Sequence, residues 1–290
     1  MLRYLTLVFI CASSLIAAAQ EEPAAYAVVD DSFLWNKSTG DDAYVLADIA
    51  YIRDSPSLQG KVLDSLSVGT SVRILSEGYN NMLIKDFYAP WHKVAYRVGN
   101  QKKEGFIWLG LIALQANHDQ KGNLWLYGFN KYQNRSIDEE YLQLCEVKLL
   151  NPQYELIGKT SFLINLGEQS FTEAKVLGDM GLEGLSAIYR ISFLGEACGI
   201  ASNYYYLGWT GSEFLSLPGK TSVSDAGVYY MEEKLLFPSE HNLDPNLIIK
   251  DITEGEVVDI DAEELEYKIH KERVKYYWNG KVASQIVELK

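Results

Sequence analysis

From residue 44 onward, apolar and polar residues alternate with a period of two over many short segments. These segments are rich in β-branched and aromatic residues, and Gly, Pro, Asn and Asp separate them, as expected of strands joined by turns. Two turns stand out: residues 209–212, and Asn279-Gly280, which favours a type I′ turn because both central residues need φ > 0. Only residues 262–271 predict a short helix. The pattern therefore predicts a mainly all-β protein.

Changes in composition divide the chain into domains. Residues 20–43 are polar and acidic apart from Phe33-Leu34-Trp35, and we interpret them as a flexible tether or as a segment packed on the first domain. The polar run 115–123 predicts a linker. It would separate a first domain at residues 44–114 from a larger antiparallel β domain at residues 124–290, folded as a sandwich or an open barrel.

The N-terminus has the layout of a secretory signal over residues 1–19. Arg3 precedes an almost wholly apolar run from Leu5 to Ile16, and residues 17–19 are alanines that suit a cleavage site. The apolar run is shorter than the roughly 20 residues that a membrane span needs. We therefore expect a secreted protein, periplasmic or at the cell surface, with no transmembrane segment in the mature chain.

Ordered sequence blocks in residues 44–114 carry a resemblance to a known family. Ala50-Tyr51-Ile52-Arg53 precedes Pro56-Ser57, and residues 62–75 alternate around Gly69. Trp91-His92-Lys93-Val94 and Gly105-Phe106-Ile107-Trp108 follow. In this order the blocks resemble a bacterial SH3-like (SH3b) domain, over about a quarter of the chain. Residues 77–90 are longer than the corresponding family segment and could reshape a groove or pack on the next domain.

The resemblance implies a small barrel that recognises cell-wall peptide or glycan, or that docks against its neighbouring domain. Its candidate groove residues are Tyr51, Tyr79, Trp91 and Trp108, whose large rigid faces suit stacking on a ligand. The alternative is that the two tryptophans belong to the core. In the second domain Tyr204, Tyr206 and Trp209 are secondary candidates, either as a ligand platform or as cross-strand packing.

The charge of the chain and its reactive residues limit the classes of function that the sequence supports. The net charge of −13 comes without a cluster of Lys and Arg, and the short basic stretch 97–103 is interpreted as a solvated loop, so no nucleic acid is expected as partner. Cys145 and Cys198 could form a disulfide after export or remain free thiols. No motif for a metal, a cofactor or a catalytic nucleophile occurs, and the acidic stretch 254–266 lacks the spacing of a calcium loop.

These observations predict a secreted, non-enzymatic binding protein of the bacterial cell envelope. Its partner would be cell-wall peptide or glycan, or an envelope protein. A peptidoglycan-active hydrolase with an unrecognised catalytic site in residues 124–290 is one alternative. A structural envelope component whose two domains lock together is the other.

Overall fold

A computed structural model describes residues 34–132, 142–262 and 264–287, and these residues form three antiparallel sheets. The helical structure described beside them is short, with a 3-10 turn at Leu109–Leu111 and the helix α1 at Pro238–His241. The all-β prediction is confirmed.

The first sheet has seven strands and a non-sequential order, β1-β4-β6-β7-β2-β3, with β5 paired to β6. Alternate residues of its short strands are buried, such as Ala50 and Ile52 in one and Val72 and Ile74 in another. The period-two pattern of the sequence is thus the pattern of the core. The strands are β1 (Asp42–Tyr44), β2 (Ile49–Arg53), β3 (Val62–Ser67), β4 (Ser71–Ile74), β5 (Tyr79–Ile84), β6 (Phe87–Val98) and β7 (Gln101–Trp108).

The second sheet has four strands and contains part of the predicted linker. Residues 115–118 form β8 and pair with β9, and residues 119–123 make the tight loop between the two strands. The polar run at 115–123 is therefore a hairpin, because Asp119 satisfies the backbone amides of the loop through its side chain. The strands are β8 (Gln115–His118), β9 (Leu124–Tyr132), β10 (Leu142–Leu150) and β11 (Leu156–Asn165).

The third sheet is a meander in which all eight strands pair in chain order. The predicted helix at 262–271 is wrong: β18 begins at Tyr267 and pairs with β17 through Val257. Tyr267 and Ile269 have high strand propensity, and the pairing with β17 favours the extended form there. The strands are β12 (Phe171–Leu177), β13 (Ala187–Leu194), β14 (Ser202–Trp209), β15 (Phe214–Asp225), β16 (Tyr229–Leu236), β17 (Leu247–Val257), β18 (Tyr267–Trp278) and β19 (Ala283–Gln285).

The two predicted turns of the third sheet share one geometry. In each, the residue after a buried tryptophan, Thr210 or Asn279, donates its backbone N–H to the carbonyl three residues on. Its side-chain oxygen accepts from two backbone amides of the loop. Gly280 has φ 88° but Asn279 is not at positive φ, so the predicted type I′ turn is wrong. Trp278 pairs with Ala283, so the connection consists of residues 279–282 and is longer than the two-residue loop of a type I′ hairpin.

One apolar core runs through all three sheets. The ring of Trp35 stacks on Phe87 of the first sheet at 5.9 Å and meets Phe129 of the second sheet edge-on at 5.3 Å. Phe129 in turn stacks on Phe193 of the third sheet at 6.1 Å. Trp35 Nε1 donates to the Ile112 carbonyl at 2.9 Å. Leu34 and Trp35 of the predicted tether are thus packed into the core, and Trp35 links the two predicted domains, whereas Phe33 lies outside the described residues.

A buried ion cluster marks the seam between the first and second sheets. Lys148 is 1% exposed, and its Nζ donates to the Leu46 carbonyl at 2.8 Å and to Asp48 Oδ1 at 2.6 Å. Glu146 lies beside it and pairs with Lys159 at 2.6 Å. The hydrogen bond from Lys148 lowers the pKa of Asp48. Asp48 and the Leu46 carbonyl lie in the loop between β1 and β2, and the other members of the cluster lie in β10 and β11, so the cluster bridges the seam.

Mild acid is expected to destabilise the protein through His92. Burial lowers the pKa of this side chain below its ordinary value of 6.5, although Nδ1 donates to the Ser76 carbonyl. The unfolded chain then binds the proton more readily, so stability present above pH 6.5 is lost as the pH falls toward the folded pKa. Thermal unfolding measured at pH 7.5 and 5.5 should show a drop in Tm that His92→Asn reduces. An equal drop in both proteins would contradict this role.

Candidate functional site

Two of the predicted groove residues of the first domain are internal. Trp91 is 2% exposed and Trp108 is 1% exposed. Trp108 donates from Nε1 to the Ala89 carbonyl, and its ring lies 4.8 Å from that of Phe87. The aromatic surface predicted to receive a ligand is therefore covered by side chains of the same chain.

The other two groove candidates do not complete a site with them. Tyr51 is 51% exposed on β2, where it lies opposite Ser65. Tyr79 is half-buried and meets Phe106 edge-on at 5.7 Å. Because Trp91 and Trp108 are buried, Tyr51 and Tyr79 do not form with them the shared groove that the sequence predicted.

The aromatic strand of the second domain is packed rather than presented. Tyr206 and Trp209 are each 6% exposed. Tyr204 and Tyr206 belong to the core on one face of the third sheet, whereas Tyr205 packs on the other face against Phe162 at 5.1 Å. Cross-strand packing, the alternative weighed from sequence, describes these residues.

The two cysteines are free, so the disulfide considered from sequence is not formed. Cys145 is fully buried in the shared core, whereas Cys198 is exposed in a loop of the third sheet. Burial raises the pKa of the Cys145 thiol far above its usual range. A protonated thiol without access to solvent is a packing group and is a poor nucleophile.

A groove of 830 Å³ lies where the first sheet meets the β10–β11 loop. We call it the cationic groove. Its charged side chains are Arg73, Arg97 and Lys102 against a single carboxylate, Asp42. Hydroxyl-bearing and small residues form the remaining wall, and Tyr154 closes one side. The complete lining is Asp42, Ser67, Val68, Gly69, Thr70, Ser71, Val72, Arg73, Ala95, Tyr96, Arg97, Lys102 and Tyr154.

Strand pairing places the cations of the groove side by side. Arg97 on β6 lies directly opposite Lys102 on β7, and Arg73 on β4 lies opposite Ala95, two residues before Arg97. Directly opposed side chains have Cβ atoms about 5 Å apart, and like charges in that arrangement are destabilising. Neither Arg97 nor Lys102 makes an ion pair within the described ranges, and Arg73 pairs with Asp42 at 3.1 Å. The lining of the groove thus carries more positive than negative charge, although the protein as a whole is acidic.

Tyr154 is held in the groove by an unusual backbone conformation. Its φ is 61°, a left-handed value that costs a bulky residue about 1–2 kcal/mol. The loop 119–123 has the same hydrogen-bond pattern, and there Gly122 occupies the corresponding position at φ 81°. Tyr154 is 53% exposed and lies over Gly69, where a Cβ would come within 3.2 Å of its ring. The fold therefore keeps Tyr154 in a strained backbone conformation, and in this conformation its aromatic ring lies beside the cations of the groove.

Sequence reasoning missed this site. The interpretation of residues 97–103 as a solvated loop is wrong, because Arg97 lies within β6, which ends at Val98, and Lys102 lies within β7, which begins at Gln101. Arg73 and Tyr154 come from segments that the sequence shows no reason to place together. The signal in the sequence that could have found it is the two-residue alternation of apolar and polar positions. This alternation puts Arg73, Arg97 and Lys102 on the outward face of their strands.

Comparison of this chain with protein-family models, curated proteins and solved structures finds no match. The described ranges contain no group of three His, Cys, Asp or Glu residues that could hold a metal ion. In the same ranges, no helix has the length and apolar character needed to cross a membrane.

Proposed function

We propose that this chain is a secreted, non-enzymatic binding protein of the bacterial cell envelope. Residues 1–19 direct its export, and the first sheet is an SH3-like barrel that braces the C-terminal sheets. The cationic groove binds carboxylate groups of cell-wall peptides. The observation that carries the proposal is the opposed pair Arg97 and Lys102, neither of which forms an ion pair within the described ranges.

The chemistry of the groove favours capture of an anion. Guanidinium and ammonium groups make charge-assisted hydrogen bonds to carboxylates, and arginine can do so with two parallel bonds. The exposed ring of Tyr154 adds a flat surface on which an adjoining peptide plane or sugar ring can stack. The lining residues of the groove include neither His nor Cys, so they offer positioning and charge rather than a nucleophile with its base.

The bracing role follows from the covered aromatic surface. Trp108, Phe87, Trp35, Phe129 and Phe193 form successive ring contacts across the three sheets. A surface used in this way is closed to an external ligand. The SH3-like unit then contributes rigidity, and recognition falls to the groove on another part of its surface.

Reversing the two opposed cations is expected to remove most wall binding. A charge-assisted hydrogen bond contributes about 1.5–3 kcal/mol, so the variant Arg97→Glu/Lys102→Glu should bind purified sacculi at least about tenfold more weakly. Retention on sacculi, measured by sedimentation over a range of protein concentrations, tests this. The protein is acidic overall, so general electrostatic attraction to an anionic polymer does not favour retention.

The matched control is Lys268→Glu/Lys271→Glu, which makes the same charge change at exposed positions of β18. It should retain the binding of the unchanged protein. Equal losses in both variants would show that net charge, and not the groove, governs binding. Soluble muropeptides released during the incubation would overturn the non-enzymatic proposal.

A further inference from the structure

The buried lysine of the seam contacts a carboxylate from a distant part of the chain. Lys148 lies in β10, between β9 and β11, and is 1% exposed. Asp48 lies in the connection between β1 and β2. Lys148 Nζ is 2.6 Å from Asp48 Oδ1, although the two residues are 100 positions apart in sequence. This contact therefore joins a loop of the first sheet to a central strand of the second sheet.

Backbone hydrogen bonds hold both partners in place. The Asp48 carbonyl accepts from the Val68 N–H at 3.3 Å, and β10 pairs with a strand on each of its sides. A nitrogen 2.6 Å from one carboxylate oxygen lies about 3–3.5 Å from the carboxyl carbon, the separation from which a nucleophile attacks. Groups held in such a geometry react as if each were present at about 10⁵–10⁸ M. The amine and the carboxyl group are therefore placed for a reaction with each other.

Two further charged groups surround this pair. Glu146 is 5% exposed, and its Oε2 lies 3.5 Å from Lys148 Nζ. A carboxylate in this position can take a proton from the amine. Lys159 Nζ lies 2.6 Å from Glu146 Oε1 and 3.7 Å from Asp48 Oδ2. A cation beside Oδ2 stabilises the negative charge that forms on this oxygen when the carboxyl carbon is attacked.

We propose that Lys148 and Asp48 condense into an intramolecular isopeptide bond, with Glu146 as the carrier of the protons. Lys148 Nζ attacks the Asp48 carboxyl carbon, so that a C–N bond forms and one C–O bond breaks. The ammonium group gives up two protons in all, and Glu146 passes them to the departing oxygen, which leaves as water. Glu146 ends in its starting state, and no oxidant, reductant or cofactor is consumed. The remaining amide N–H can still be donated to the Leu46 carbonyl, which accepts from Nζ at 2.8 Å.

The charges and the exposure of the pair are compatible with this reaction. The hydrogen bond from Lys148 lowers the pKa of Asp48, so this carboxyl group starts ionised. An ammonium and a carboxylate contain the same atoms as an amide and one water molecule, so no proton is needed from outside. The Asp48 side chain is 66% exposed, which gives the water a path to solvent. Because the amide is uncharged, the bond also removes the cost of keeping an ammonium group in a site that is 1% exposed.

The bond ties the first sheet to the second sheet covalently. It closes a segment whose ends are 100 positions apart, and a cross-link over so long a segment restricts the unfolded chain strongly. The seam then stays joined at this point under denaturing conditions that break the ion pairs around it.

Mass spectrometry of the denatured full mature chain tests the bond. The intact protein should be lighter than its sequence by one water molecule, and a tryptic digest should contain a branched peptide that joins Asp48 to Lys148. Asp48→Ala and Lys148→Arg should have the full mass and no branched peptide. Glu146→Gln should form the bond at least about 100-fold more slowly, because general acid–base catalysis contributes about 10²–10⁴-fold. Circular dichroism should show that Asp48→Ala, a change at an exposed position, is folded.

A second ion pair of the same protein is the control. Lys103 Nζ is 2.9 Å from Asp64 Oδ2, but Lys103 is 39% exposed, so this pair should stay unlinked. A link there, or the full mass in the unchanged protein after prolonged incubation in the folded state, would overturn the proposal. Equal rates in Glu146→Gln and in the unchanged protein would show that Glu146 does not carry the protons. Asp48→Ala leaves the cationic groove intact and should be retained on sacculi normally, so this inference and the proposed function fail independently.

Discussion

Replacing Trp35 with alanine is expected to lower the free energy of unfolding by about 3–5 kcal/mol, the usual cost of removing a large aromatic ring from a core. The ring is 1% exposed and contacts Phe87 and Phe129 in different sheets. Its loss leaves a cavity at the point where the sheets share one core. Urea unfolding followed by circular dichroism and by tryptophan fluorescence measures the change.

The conservative variant Trp35→Phe separates packing from hydrogen bonding. It keeps an aromatic ring between Phe87 and Phe129 but leaves the Ile112 carbonyl without its donor. The expected loss is smaller, about 1–3 kcal/mol.

If the contact unites the predicted domains, the alanine variant should also unfold in two separate transitions. One transition with unchanged midpoint in Trp35→Ala would show that this ring does not hold the sheets together.

Replacing Lys148 with methionine is expected to destabilise the protein by about 3–5 kcal/mol, the cost of removing one partner from a buried ionic cluster. The Leu46 carbonyl loses its donor, and Glu146, which is 5% exposed, loses one of the two cations with which it pairs and keeps Lys159. Asp48 is exposed enough to recover water, so the loss should lie toward the lower end of that range. The midpoint of urea unfolding is the measurement.

Two further variants test whether the cost comes from buried charge. Lys159→Met removes the partly exposed cation of the same cluster and should cost about 1 kcal/mol or less, as exposed ion pairs do. The double variant Lys148→Met/Glu146→Leu removes both buried charges and should recover part of the stability lost by Lys148→Met. If Lys148→Met and Lys159→Met cost the same, burial of Lys148 does not determine its contribution.

Local pattern was enough to predict the strands and the faces of many of them. Tyr204 and Tyr206 occupy one face of β14 and Tyr205 the other, as alternation requires. The same reasoning could not decide between core and groove for Trp91 and Trp108. Whether an outward face is exposed depends on what covers it. Here the ring of Phe87 packs against Trp108, and Phe87 in turn packs against Trp35, which is distant in sequence.

The candidate site was beyond prediction for a similar reason. The cationic groove combines Arg73 from β4, Arg97 and Lys102 from the β6–β7 hairpin and Tyr154 from a loop in the next sheet. Arg73 and Tyr154 are 81 residues apart in sequence (154 − 73), so no local pattern indicates that they lie in one groove. The strain at Tyr154 is also invisible in sequence, because tyrosine is not a residue that marks positive φ.

The sheet orders imply different routes of assembly for a chain that is made from its N-terminus. In the meander, each strand after β12 pairs with the strand that precedes it in the chain, so the third sheet can grow one strand at a time. Trp35 has to wait for Phe129, which is synthesised 94 residues later (129 − 35). The N-terminal strands can therefore not reach their final packing until most of the first half of the chain has been synthesised. Until then, during synthesis or passage across a membrane, this half lacks its complete core.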